Sequence, residues 1–247
     1  YSFRHGMIQQ VCYDSLLAHI RRAYHCEIAE YLEKSRSVGR RETENYYALI
    51  AHHAYAGQDW PRALRYQVLA GQQSQRAFAN QEAIDHFTRA LQSAGYLPHE
   101  ATRAQRLVIH AALGELMTTT GQYDQAHEHL LTALEPALER GDHDAEAHAC
   151  RWLARSHELR GEYSLAFEWI DRGLAALQGR ETAEAAHLHI NAGLIHSRQG
   201  HLNQALEQCQ TSLRIAEALG ELAVLARAFL LLAVISLSRG DSKSSVE

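Results

Sequence analysis

Three stretches decide the fold: Gly121-Gln-Tyr123-Asp-Gln-Ala126, Gly161-Glu-Tyr163-Ser-Leu-Ala166 and Gly200-His-Leu202-Asn-Gln-Ala205. A fourth copy opens at Gly240, and the four glycines recur at intervals of 40, 39 and 40 residues. Seven residues upstream of each glycine stands a small residue: Gly114, Ala154, Gly193 or Ala233. Just before these come Leu113, Leu153, Ala192 and Leu232. Seven residues after each in-phase alanine lies another small residue, Ala133, Gly173 or Ser212. A second glycine series, Gly141, Gly179 and Gly220, falls midway between the first. Glycine just past a helix takes the left-handed conformation that closes the last turn without a Cβ clash.

The segments between the glycines carry apolar residues at helical period, as in Leu130, Ala133, Leu134, Ala137 and Leu138. Each unit therefore reads as a helical hairpin, helix A then helix B, with helices of about 17 residues and roughly 25 Å. Small residues at the A–B crossing let the backbones approach, and Tyr123 and Tyr163 wedge the turn. The array resembles the tetratricopeptide repeat, in the Leu-Gly or Leu-Ala pair of helix A, the Gly-x-Tyr-x-x-Ala turn and the later small residue of helix B. The usual period is 34; near 40 here, it lengthens the helices by about a turn. The usual Trp and Tyr of helix A give way to His110, Cys150, His189 and Phe229 in one row. Met117, His157, His196 and Ser236 form the other. The expected fold is all-α: an antiparallel helical-hairpin solenoid, right-handed if it follows the family.

Working outward, residues 100–247 form the regular array with its last repeat truncated, and 42–99 form degenerate helical repeats. Within the latter, 80–91 reads as a helix B paired with a helix over 61–78. Pro61 suits a first helical turn, where its missing N–H costs nothing. The Tyr96-Leu97-Pro98 stretch breaks the chain before the array. Residues 1–41 read as a helical segment joined to an upstream module, ending in a flexible linker at 35–41. Phe3-Arg4-His5, Ile8, Val11, Tyr13, Leu16, Leu17, Arg21-Arg22, His25, Ile28, Ala29 and Leu32 resemble the segment that joins the winged-helix region to the repeats in bacterial STAND-type signalling ATPases. Ala51-His52-His53-Ala54-Tyr55-Ala56-Gly57, with Trp60 and Ala63, is similar to the first repeat-like helices of those proteins. The resemblance implies the sensor arm of a cytoplasmic switch whose ATPase and output modules lie upstream. No Gly-x-x-x-x-Gly-Lys-Ser/Thr loop occurs, so ATP binding by that route is not expected.

The 247 residues hold 24 Lys and Arg against 29 Asp and Glu, a formal charge of −5, which disfavours a nucleic-acid partner. The four cysteines, Cys12, Cys26, Cys150 and Cys209, lie far apart with no CxxC pair, as suits a reducing compartment. Residues 222–237 are the most apolar run; with Arg227 inside, this run reads as too short for a membrane span. Histidine is plentiful at 17. Cys150/His157 and His189/His196 are seven apart and share helix faces, but seven residues span about 10.5 Å, too far for one ion. Core imidazoles explain them; a site built across repeats is the alternative. His127/His129 and His187/His189, two apart, point to different faces and read as surface or packing residues. No activated nucleophile or acid–base pair is visible, so neither catalysis nor a cofactor is expected. Glu128, Glu139 and Glu168 read as solvated faces.

The expected activity is recognition of a protein, peptide or small inducer on the concave face formed by the A helices. The candidate positions there, read as exposed, are Glu115, Thr118, Arg151, Arg155, Glu158, Asn191, Arg198 and Arg227. Arg151, Arg155 and Glu158 share one face, and arginine forks suit carboxylates, hence an acidic peptide. A plain Arg–Glu surface pair is the other reading of those three. A structural self-assembly scaffold is the alternative function. The helix over 222–239 is apolar almost all round and needs cover on two sides; a second copy packed end to end is one source of it.

Overall fold

The computed structural model describes residues 6–36 and 46–240. The expected linker at 35–41 and the opening of a last helix B at 242–247 lie largely or wholly outside these. Every regular element among the described residues is an α-helix: α1 (Gly6–Ser15), α2 (Ala18–Arg36), α3 (Tyr46–Ala56), α4 (Trp60–Arg76), α5 (Asn80–Gly95), α6 (His99–Thr119), α7 (Tyr123–Arg140), α8 (His143–Leu159), α9 (Tyr163–Leu177), α10 (Ala183–Arg198), α11 (Leu202–Leu219) and α12 (Leu222–Arg239). The chain divides into two compact units, Tyr1–Leu116 and Met117–Glu247, so the division falls within α6.

In the second unit the predicted hairpins are present, with α8, α10 and α12 as A helices and α7, α9 and α11 as B helices. Each A helix packs on its own B helix where one is described, and α10 also lies directly against α8 and α12. The helices run 15 to 18 residues, close to the expected length. All seven glycines of the two series hold positive φ, from 63° to 82°. At Gly161 a Cβ would meet nothing within 4 Å. Backbone conformation is therefore what the residue supplies there, not space.

Space is the issue at Gly173 and Gly193. A Cβ at Gly173 would fall 2.9 Å from Leu188 Cδ1 and 3.1 Å from Cys150 Cβ, so α9 presses on both α8 and α10. At Gly193 it would meet Leu231 Cδ2 at 2.7 Å and the Ala205 carbonyl at 3.3 Å. Around these crossings Ile170, Leu177, Leu188, Ile195, Ile215 and Leu231 form the core. Side chains of Asp142 and Thr182 cap α8 and α10 by accepting from the amides of Ala145 and Ala185. Cys150 and Cys209 are buried, and burial pushes their thiols up to about 12 and about 11. Pro136 sits inside α7, a position the helical pattern did not flag.

The first unit builds the same hairpin by other means. Pro61 occupies the first turn of α4, and Asp59 caps that helix by accepting from Arg62 N. The α3–α4 and α4–α5 turns reverse through Gln58 and Phe78, both at φ 59° and neither a glycine. Gly71 plays the crossing role: a Cβ there would lie 3.0 Å from the Phe87 ring. Ala29, Ile50, Ala51, Ala54, Ala63 and Tyr66 form the core of α2 to α4.

One expectation about α12 is corrected. With its 18 residues it is long and apolar enough, by length and composition, to cross a membrane. Its inner stripe, Val224, Ala228, Leu231 and Ile235, is buried within the repeat core.

Candidate functional site

Successive A helices place residues about 40 apart in line, and the second unit fills one such line with polar side chains. His148 on α8, His187 on α10 and Arg227 on α12 occupy the same repeat position. Arg227 Nη1 lies 3.1 Å from His187 Nδ1. One turn away, Arg151 Nε donates to Glu184 Oε2 at 2.6 Å, and His148 Nδ1 is 3.0 Å from Glu184 Oε1. Asn191 Nδ2 donates across the α8–α10 contact to the Arg151 carbonyl at 3.1 Å. The Arg151 guanidinium also covers the Trp152 ring, 4.7 Å from its centroid.

Beside this column opens a cleft of about 330 Å³ lined by Thr118, Thr119, Tyr123, Arg151, Trp152, Arg155, Leu159, Asn191 and Arg227. Five of the eight sequence-chosen residues line it: Thr118, Arg151, Arg155, Asn191 and Arg227. Two more, Glu158 and Arg198, do not line it and connect to it through ion pairs. Glu158 is fully buried, pairs with Arg155, and has its Oε1 2.9 Å from Arg198 Nη1. Glu115 belongs to the first unit, where it accepts from Gln75 Nε2 at 3.3 Å.

The expectation that these positions are exposed fails for Thr118, Arg151, Glu158 and Asn191, all of which are buried. The reason is the direct contact of neighbouring A helices, which closes over side chains near their shared line. The Arg–Glu surface-pair reading also falls, because Glu158 has no exposed surface and Arg151 very little.

Arg151 pairs with Glu184, Arg155 and Arg198 pair with Glu158, and Arg227 stands beside His187. Burial alone would raise the Glu184 carboxyl, but the His148 hydrogen bond and the Arg151 charge outweigh it and hold it at about 2. Burial lowers His187 to about 4, helped by the charges of Arg151 and Arg227. His187 therefore stays neutral at pH 7 between two guanidiniums. Thr119, Tyr123, Trp152 and Leu159 add an apolar and hydroxyl-bearing wall that charge-led reading missed. Running the 40-residue interval from Arg227 back through His187 to His148 would have exposed the column.

The other histidines are mostly packing groups. His189 Nδ1 meets Gln208 Oε1 of α11 at 2.7 Å, and His157 Nδ1 meets Glu162 Oε2 at 2.6 Å. In the first unit a cavity of about 510 Å³ is lined by Tyr13, Leu16, Arg21, Tyr24 and Ile28, with His25, His52 and His53 among its walls. There the Nδ1 atoms of His25 and His53 lie 2.8 Å apart, and Tyr13 Oη lies 2.9 Å from His25 Nε2. Among the described residues no group of three or more His, Cys, Asp or Glu side chains is placed to hold a metal ion.

No family model matches the chain, and no curated protein matches it. Solved structures do. BtubC from P. vanneervenii is 18% identical with a TM-score of 0.57, over 94% of this chain and 87% of that one. Aspartyl phosphate phosphatase F from Bacillus subtilis is 14% identical with a TM-score of 0.67, over 93% of this chain and 57% of that one. A Rap protein complexed with competence and sporulation factor is 12% identical with a TM-score of 0.65, over 93% of this chain and 73% of that one. At these identities the likeness is one of fold, and the fold is a tetratricopeptide-like array of helical repeats.

Proposed function

We propose that the chain is a non-enzymatic recognition module whose second unit binds an acidic segment of a protein or peptide in the cleft beside α8, α10 and α12. The observation that carries this reading is the concentration of Arg151, Arg155 and Arg227 in one cleft with an aromatic and hydroxyl-bearing wall. Arginine forks grip carboxylates in two parallel hydrogen bonds, and the wall offers apolar surface for the intervening side chains. The Arg151–Glu184 pair fixes one guanidinium in place, which lowers the ordering cost of binding. The fold likeness to a Rap protein solved with a bound factor is in keeping with a repeat array that takes a ligand. In this reading the chain serves as the regulatory sensor arm of a larger STAND-type signalling ATPase, the context its sequence resembles.

The test is a fluorescence-polarisation screen of labelled peptides, acidic against charge-matched basic and neutral, with the 247-residue chain. The useful variants are Arg155→Lys, which keeps a positive charge beside buried Glu158 and removes the fork, and Arg227→Gln. Reversing Arg151 would set a carboxylate against Glu184 and damage the fold, so it cannot separate binding from stability. Each useful variant should weaken an acidic peptide at least about tenfold, the cost of one charge-assisted bond. Arg214→Gln, on exposed α11, serves as the control and should change nothing. Equal affinity for acidic and basic peptides would sink the proposal, and so would indifference to both cleft arginines.

A further inference from the structure

Residues of α1, α2 and α3 line the first unit's cavity of about 510 Å³, a volume within the range that small ligands occupy. Leu16, Tyr24 and Ile28 supply apolar surface, of which Tyr24 and Ile28 are exposed. The polar part centres on a chain of three hydrogen-bonded groups. His25 meets His53 through Nδ1 atoms 2.8 Å apart and meets Tyr13 Oη through its Nε2 at 2.9 Å. One proton fits in each gap, so in each contact one atom donates and the other accepts. With both rings neutral, the chain always ends in a donor that it does not use. That donor is the His53 Nε2–H when Tyr13 donates to His25, and the Tyr13 hydroxyl when Tyr13 accepts. Tyr13 and His53 both line the cavity, so either arrangement leaves an N–H or O–H on a lining residue.

Arg21 supplies the charge. Its guanidinium lies over the Tyr13 ring, 5.2 Å from the centroid, and its Nη1 is 3.6 Å from Asp14 Oδ1, beyond hydrogen-bonding reach. Among the described lining residues Arg21 is the only Lys or Arg, and none is Asp or Glu. One cation, a neutral donor and apolar rings together match a monoanion carried on a flat apolar body. A phosphate dianion would find one guanidinium for two charges, and an ammonium would find no carboxylate on the wall.

We propose that this cavity binds a small aromatic carboxylate, its carboxylate held between Arg21 and the Tyr13–His25–His53 chain and its ring laid on Leu16, Tyr24 and Ile28. The site shares no lining residue with the cleft of the second unit. Its histidines couple binding to protons. The titratable and charged groups around the pair are Tyr13 and Asp14 of α1, Arg21 of α2 and His52 of α3. Burial holds His25 below the ordinary imidazole value, helped by the charges of His52 and Arg21. Burial lowers His53 as well, helped by the charges of His25 and His52. A carboxylate beside the pair favours the imidazolium, so a proton is taken up as the ligand enters. The complex then holds more protons than the free chain, and affinity rises as pH falls from 8 to 6.

The test is isothermal titration calorimetry of the 247-residue chain with 2-naphthoate. The comparison ligands are its neutral amide, the cation 2-naphthylmethylammonium, and acetate, which keeps the charge without the rings. Naphthoate should bind saturably, the amide and acetate each at least about tenfold more weakly, and the cation not at all. Arg21→Gln should weaken naphthoate at least about tenfold, while Arg214→Gln on α11 leaves it unchanged. Circular dichroism checks that both variants fold, and the ligand series on the unmodified chain decides alone if Arg21→Gln does not. Titrations at pH 7 in MOPS and in Tris, whose heats of ionisation differ, should show net proton uptake. Affinity should rise a few-fold between pH 8 and pH 6, within the limit of about tenfold per pH unit for one proton. Absence of saturable binding, equal affinity for the amide, a folded Arg21→Gln that binds as before, or binding without proton uptake each overturns the proposal.

Discussion

The two units make the same helical hairpin with different turn chemistry. In the second, every A–B and B–A reversal uses glycine at positive φ, joined at the end of α9 by Gln178 at φ 52°. In the first, Gln58 and Phe78 hold the left-handed conformation at φ 59° without being glycine, and Phe78 does so with its ring 87% exposed. What the units share is a small residue where helices cross: Gly71 against Phe87 in one, Gly193 against Leu231 and Ala205 in the other. The comparison teaches that close helix crossings specify this fold, and that glycine turns lower its cost without being required.

The largest effect should come from filling those crossings. Gly193→Leu and Gly71→Leu each force a side chain into space already held by a neighbour, at a typical cost of about 1–3 kcal/mol. Thermal unfolding should show both variants melting several degrees lower, and in a repeat array the damage at Gly193 should spread to the adjoining hairpins. If Gly71→Leu were harmless and Gly193→Leu damaging, the common device would not be common.

Acid should come next. The unfolded chain protonates His187 near the ordinary imidazole value, whereas the folded chain does so only near pH 4. Between those values the unfolded state holds more protons, so stability falls as pH drops. Glu184, held at about 2, adds a loss of the same sign below the ordinary carboxylate value. Denaturant melts from pH 7 to pH 4 should lose on the order of 1–2 kcal/mol from His187. His187→Gln should flatten that slope. An unchanged slope would mean that the burial of His187 between Arg151 and Arg227 is not what shifts it.

The turns should give the smallest effects, and of opposite sign. Gly161→Ala should destabilise by about 1 kcal/mol, because a Cβ strains the left-handed conformation. Phe78→Gly relieves the same strain and exposes less apolar surface, so it should stabilise by a few tenths of a kcal/mol, offset by the backbone entropy of glycine. Chemical melts of the pair, read side by side, resolve the sign.

This contrast also explains what the sequence made legible. The glycine intervals reveal the second unit down to its helix lengths, because a glycine stands in each of its left-handed turns. The turns at Gln58 and Phe78 leave no such mark, so the first unit reads as degenerate although its crossings are as tight. In the site, helical spacing brought Arg151, Arg155 and Glu158 to one face correctly. It could not show that α8 and α10 approach closely enough to bury Arg151, Glu158 and Asn191, since that depends on contact between helices 40 residues apart. Glu184 and Trp152 were missed for the same reason. Neither departs from an ordinary helical pattern, and each acquires its role only from the neighbouring A helix or from the guanidinium stacked on it.

The central claim is that ligands bind on the A-helix side of the second unit, and amide chemical-shift mapping tests it most directly. An acidic peptide that emerges from the polarisation screen is titrated into the isotopically labelled 247-residue chain. The perturbed amides should cluster around Thr119, Trp152, Arg155, Asn191 and Arg227, with the Trp152 indole N–H moving among the most. A cluster on the outer surfaces of α9 and α11, or around His25 and His53 in the first unit, would contradict it.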